Sequence, residues 1–171
     1  MKTIHLNLHK KWFDMINSNQ KKQEYRKISP YYCSKLLKVN DEVKPLKWWK
    51  DFFEFYGDAS SKVIQVNINE MVFTFRQYET ATFSNGYAKK RPLMIVAISA
   101  IEISTGFGDW GAMPNEKYFV LNLNEVQSSV NIKKKVVVPF QEKNQCQHCK
   151  NELCDAQLFN SQCFKCGKTP F

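Results

Sequence analysis

Asn19-Gln20-Lys21-Lys22-Gln23-Glu24-Tyr25-Arg26 is the stretch on which the reading of this chain turns. It follows an amphipathic segment, precedes the first proline, and sets a cation, a carboxylate and a guanidinium at positions 21, 24 and 26. In an extended stretch side chains alternate faces, so Glu24 and Arg26 project to one side while Lys21 enters from the turn before them. An acidic acceptor flanked by two donors suits a polar planar ligand such as a base edge, or proton-transfer chemistry. The competing reading is a solvated strand whose ion pairs are energetically slight.

Upstream, Ile4, Leu6 and Leu8 alternate with polar neighbours, which predicts a strand over Thr3 to Leu8 with one face in the core. The period then changes: Trp12, Phe13, Met15 and Ile16 recur at helical spacing, so Lys10 to about Asn17 is expected to be a short helix laid on that strand. Asn19 can take the left-handed conformation that closes a helix, and Lys21 to Arg26 then leaves in a new direction.

Downstream, Pro30 stops the strand and Tyr31 to Leu37 reads as a second short helix. Trp48, Trp49, Phe52, Phe53 and Tyr56 share a helical period that fits a packed helical insertion better than a stacking platform for bases. Val63 to Ile68 and Met71 to Phe75 alternate as strands do, with Asn69-Glu70 as the turn between them. Phe83-Ser84-Asn85-Gly86-Tyr87 carries an Asn-Gly turn signal between aromatics, and Leu93 to Ile103 is a long β-rich run. Gly106 to Gly111 is a glycine-rich loop presenting Phe107 and Trp110, and Tyr118 to Leu123 alternates again as a closing strand. Many short strands, with helices mostly in the first third, predict an α+β chain built on a small, partly closed β-barrel with helices at its mouth. Residues 127–145, with Ser128-Ser129, Lys133-Lys134-Lys135 and Pro139, read as a linker.

The chain of 171 residues suits one domain plus an appendage, and its 43% hydrophobic content is enough for a real core. The net charge of +9 is uneven: residues 1–50 carry +8, residues 51–130 carry −3 and residues 131–171 carry +4. That distribution suggests a polyanionic partner, nucleic acid ahead of membrane, although surplus lysine also serves solubility. No long apolar run and no signal-like amino terminus are present, so a soluble, cytoplasmic protein is expected.

In a reducing compartment, the five cysteines among the last twenty-six residues point to a metal ahead of disulfides. Cys146-Gln147-His148-Cys149, thirteen intervening residues and Cys163-Phe164-Lys165-Cys166 form two CxxC knuckles, whose four thiolates can converge tetrahedrally on one structural Zn2+. Residues 146–171 are therefore expected to be a zinc ribbon, with Cys154 left as a free thiol and iron the alternative metal.

The run Ile4-His5-Leu6, the Trp12-Phe13-Asp14-Met15-Ile16 helix and Lys21-x-x-Glu24-x-Arg26 resemble the GxKxxExR signature of ASCH domains, which belong to the PUA-like β-barrel superfamily. Phe83 to Tyr87, Trp110-Gly111-Ala112 and Tyr118-Phe119-Val120-Leu121 resemble the corresponding stretches of bacterial and phage-type members. The resemblance spans about residues 3–126 and implies a domain over residues 1–126, with an expansion at about 44–80; it departs from the signature in having Asn19 for its glycine. It implies a cleft between barrel and helices, lined by Lys21, Glu24 and Arg26, that binds RNA or a modified base. Phe83, Tyr87 and Trp110 are the stacking candidates, by residue type and loop placement. One branch of such proteins hydrolyses acetylated cytidine with the signature Lys and a Thr where this chain has Glu24. A hydrolase with Lys21 and Glu24 catalytic, or a ribonuclease using the same residues, is therefore the alternative. A protein-interaction adaptor acting through the ribbon is the third reading.

Overall fold

Alternation decides the first strand: β1 (Thr3–Leu8) buries Ile4, Leu6 and Leu8 and leaves His5 exposed and Asn7 half-buried. The computed structural model describes residues 2–132, and the account of the fold is confined to them. Helix α1 (Lys10–Asn17) buries Phe13 and Ile16, three apart on one face, and pairs Lys10 with Asp14 one turn on. Ser18 closes the helix, and Asn19 turns the chain at φ 63° as the sequence predicts. The amides of Gln20 and Lys21 then both reach back to the Met15 carbonyl, at 2.8 and 3.0 Å. This hydrogen-bonded exit sets where Lys21 emerges and directs the chain into β2 (Gln23–Lys27).

Pro30 opens α2 (Pro30–Leu36) from the first helical turn, where its missing N–H costs nothing. The short β3 (Leu37–Val39) pairs antiparallel with β4 (Phe73–Phe75). Between them lies the excursion made of α3 (Leu46–Tyr56) and α4 (Ser60–Asn69). Trp49 is fully buried and meets Phe73 edge-on at 5.4 Å, so the aromatic block packs as a helical insertion.

The strand expected over Val63–Ile68 is helix. Its apolar residues at 63, 64, 66 and 68 fit both periods, but the side chains turned inward are Ser60, Ile64 and Ile68, each four residues on. Val66, which a strand would have buried, is 50% exposed. Met71, at φ 61°, reverses the chain after α4.

The principal sheet has the order β1-β5-β6-β7-β2, with β5 (Thr80–Asn85), β6 (Leu93–Thr105) and β7 (Lys117–Val130) forming its middle. Only β1 and β5 run parallel. Register shifts between Ile95 and Ala100 on β6 bend the long β6–β7 pair, and bulges of this kind increase local twist. The sheet curls into a half-barrel whose open edges are β1 and β2. β7 continues to Val130, so residues 127–130 belong to the sheet and not to the expected linker. Cys146, Cys149, Cys163 and Cys166 lie outside the described residues, as do residues 133–145 of that linker.

Phe83 is fully buried in the core, paired with Leu6 on one side and Met94 on the other, because its phase along β5 is that of the inward Ala81. It is a core residue and not a stacking platform. Cys33 is a free, buried thiol that burial pushes up to about 12. Among the described residues no helix is long and apolar enough to cross a membrane.

Candidate functional site

The open seam of the half-barrel is where the charged signature lies. Glu24 and Arg26 share one face of β2, and Lys21 comes to them from the turn that α1 and Asn19 create. Lys21 and Glu24 are almost wholly buried, at 3% exposure each. Lys21 Nζ lies 2.9 Å from Glu24 Oε2, and Arg26 Nη2 lies 3.1 Å from Glu24 Oε1. The Arg26 guanidinium also crosses the seam, donating from Nη2 to the Asn7 carbonyl on β1 at 3.1 Å. Lys21 Nζ donates to the Trp110 carbonyl at 3.0 Å and sits 4.6 Å from the Trp12 ring centroid and 5.2 Å from that of Tyr25. Aromatic faces supply an ammonium with part of the stabilisation that water has lost.

The carboxylate is met by both cations: Lys21 holds Glu24 Oε2 in a buried ion pair, and Arg26 faces Oε1. Arg26 Nε, also buried, has no hydrogen-bond partner among the described residues. One buried donor is thereby left open beside the ion-paired carboxylate. Glu24 and Arg26 line a recess of about 150 Å³ whose walls include His9, Trp12, Tyr25 and Trp110. Asn7, Leu8, His9 and Arg26 also line a larger cleft of about 780 Å³, so the two spaces adjoin. The cleft extends over Tyr31 and Tyr32 of α2 to the β5–β6 hairpin, and the insertion at 44–80 contributes nothing to its lining. Its volume is in the range of small-molecule sites, whereas the recess alone is below it.

Gly111 fixes the recess wall. It has φ +93°, and a Cβ there would stand 2.6 Å from Trp12 Cζ2, so a side chain would collide with the indole. The backbone conformation itself favours glycine.

Of the stacking candidates, Trp110 lines the recess half-buried and Tyr87 lines the outer cleft from the hairpin tip, 88% exposed. Phe83 reaches neither space. Residue-type reasoning passed over His5, Asn7, His9, Trp12, Tyr32 and Arg91 as cleft residues. The first three were readable: His5, Asn7 and His9 alternate with the buried Ile4, Leu6 and Leu8, so they occupy the opposite face. Among the described residues no cluster of three or more His, Cys, Asp or Glu could hold a metal ion.

Comparison of the chain with protein-family models, with curated proteins and with solved structures finds no match.

Burial pulls the Lys21 ammonium below the ordinary lysine range; the Glu24 carboxylate opposes that shift and Arg26 adds to it. Because the folded value lies below the unfolded one, about 10.4, the unfolded chain keeps this proton in the window between them while the folded protein has released it. The Lys21 contribution to stability therefore rises with pH across that window, and the cost of its buried charge is fully present only below it. An NMR titration of the Lys21 Cε resonance is expected to give a midpoint below the ordinary value. A midpoint at or above it would contradict the burial. Glu24→Gln leaves two cations facing each other in the recess and is expected to cost about 3–5 kcal/mol in chemical denaturation. A loss under about 1 kcal/mol, typical of an exposed pair, would mean that the trio is solvated.

Proposed function

We propose that residues 1–126 form an ASCH domain of the PUA-like type that binds RNA or a modified base, with the polar edge of a base entering the recess lined by Lys21, Glu24 and Arg26. The observation that carries this reading is the convergence of Lys21, Glu24 and Arg26 at the wall of the recess, where the buried Arg26 Nε has no partner among the described residues. Buried polar atoms are ordinarily paired, and a carboxylate beside ammonium and guanidinium donors fits a planar group that offers both an acceptor and a donor. Trp12, Tyr25 and Trp110 in the recess walls supply the apolar and aromatic surface that base recognition uses. RNA is favoured over DNA by the family resemblance alone. The protein acts in the cytoplasm on this reading, where the buried Cys33 stays reduced.

A hydrolase of acetylated cytidine, or a ribonuclease, is the second reading. The observation that favours it is the lowered pKa of Lys21 beside a carboxylate at a cavity wall, an arrangement common at catalytic sites. In it Glu24 activates water and Lys21 steadies the developing oxyanion. Against it, both carboxylate oxygens of Glu24 already face cations.

The appended ribbon, on Cys146, Cys149, Cys163 and Cys166, is proposed to hold a structural Zn2+ on the strength of its CxxC spacing. It would offer a contact surface for nucleic acid or a protein partner.

Fluorescence anisotropy with a randomised pool of short single-stranded RNA, and with the matching DNA pool, tests the main reading. The wild type is expected to bind RNA more tightly. Lys21→Met, folded by circular dichroism, should weaken binding about tenfold or more. It should leave the salt slope nearly unchanged, because a buried ammonium does not contact phosphate. Unchanged affinity in that variant would contradict the reading. Turnover of acetylated cytidine that disappears in folded Glu24→Ala would assign the enzyme instead, and neither binding nor turnover would leave the adaptor. Elemental analysis of the purified chain is expected to find one zinc per chain, lost in Cys163→Ser. Iron, or no metal, would overturn that assignment.

A further inference from the structure

The outer cleft contains a cation that the base-binding reading leaves unused. Arg91 stands at the end of the β5–β6 hairpin, where Asn131 Nδ2 donates to its backbone carbonyl at 3.2 Å. The base of the hairpin is tied to β1: Ser84 Oγ and the Gly86 amide both donate to Asn7 Oδ1 at 3.2 Å, and Asn85 Nδ2 donates to the Leu8 carbonyl at 3.1 Å. Arg91 is therefore carried on a fixed part of the loop while Tyr87 occupies its exposed tip. Among the described residues its buried Nε has no hydrogen-bond partner, and its Nη1 meets only the Ala88 carbonyl at 3.5 Å, near the limit of a hydrogen bond.

Among the described residues no carboxylate answers it. Of the residues lining the cleft, Arg26 and Arg91 carry charge, His5 and His9 add ring nitrogens, and none is Asp or Glu. Glu24, behind Arg26, already offsets that first guanidinium. A half-buried guanidinium that pairs with no carboxylate among the described residues, in a cleft whose lining has no acid, is a site for an oxyanion, since charge-assisted bonds from arginine to phosphate are strong and directional. We propose that the outer cleft binds the phosphate of a nucleotide whose base occupies the inner recess. The ligand is then a phosphorylated nucleotide, free or within a strand, and not a nucleoside or a free base. This rests on the base-binding reading and narrows it, and it disfavours a free acetylated nucleoside as substrate.

Isothermal titration of the full chain with the four ribonucleosides, the four 5′-mononucleotides and short single-stranded RNA tests it. At least one mononucleotide is expected to bind about tenfold or more tighter than its nucleoside. Arg91→Gln should remove that difference while leaving nucleoside affinity unchanged, with Arg91→Ala as a second variant and circular dichroism as the check on folding. Equal affinity for a mononucleotide and a strand assigns free nucleotides as the source of phosphate, and much tighter binding of the strand assigns RNA. If nucleosides bind as well as nucleotides and Arg91→Gln changes nothing, the phosphate site is wrong although the base site stands. If none of the three ligand sets binds, both proposals fall.

Discussion

Removing ionised groups from water costs several kcal/mol for each of them, and this half-barrel does so with Lys21 and Glu24 at the seam between its edge strands. The mutual attraction of the trio offsets that cost only where the geometry is good. Here Lys21 and Arg26 lie 2.9 and 3.1 Å from the two carboxylate oxygens, and each is shared with a backbone carbonyl, that of Trp110 and that of Asn7. On the proposed reading the trio is held ready for a further partner and is not a staple optimised for stability. Buried ionic clusters are often replaced by apolar side chains of similar size at no loss, or at a gain.

Much of the surrounding structure serves to keep that trio in register. Asn19 in the left-handed region lets the chain leave α1 so that Lys21 enters the recess from above β2. Gly111 lets the Trp12 ring close the wall, and the loop that contains it offers the Trp110 carbonyl to the ammonium. Arg26 joins the two edges of the sheet through the Asn7 carbonyl, and Asn7 in turn holds the β5–β6 hairpin that carries Arg91. One chain of polar contacts thus runs from the buried carboxylate to the outer rim of the cleft. A change at Asn7 would disturb the inner recess and the outer cleft together.

Where local chemistry allows one backbone solution, the sequence is legible. Ile4, Leu6 and Leu8 fix the face of β1, Pro30 fixes the start of α2, and Asn85-Gly86 marks where β5 ends, Gly86 turning at φ 82° into a loop that reaches to Leu93. The convergence of Lys21, Glu24 and Arg26 was readable from the alternation of β2 and the turn before it. Where two periods fit, tertiary packing chooses: Ile64 and Ile68 turn inward together against α3 and β4, which makes α4 a helix. Aromatic type alone does not separate a core ring from a ligand platform. Phe83 and Trp110 look alike in sequence, and the phase of β5 buries the first while a loop keeps the second at the recess. Ser128 and Ser129 read as linker, yet pairing with Ile95 and Met94 on β6 holds them in the sheet, since strand propensity is weak beside a partner's edge. Arg91 had no local signal, because the direction of a loop arginine depends on what anchors the loop.

The most direct measurement is the unfolding free energy of a variant in which the trio is made apolar, Lys21→Met, Glu24→Leu and Arg26→Met together, compared with the wild type in chemical denaturant. If the charges are retained for a ligand, the variant is at least as stable as the wild type, in line with other buried ionic clusters replaced by packed hydrophobic residues. A loss of several kcal/mol in that variant would mean that the trio holds the seam closed for the sake of the fold itself.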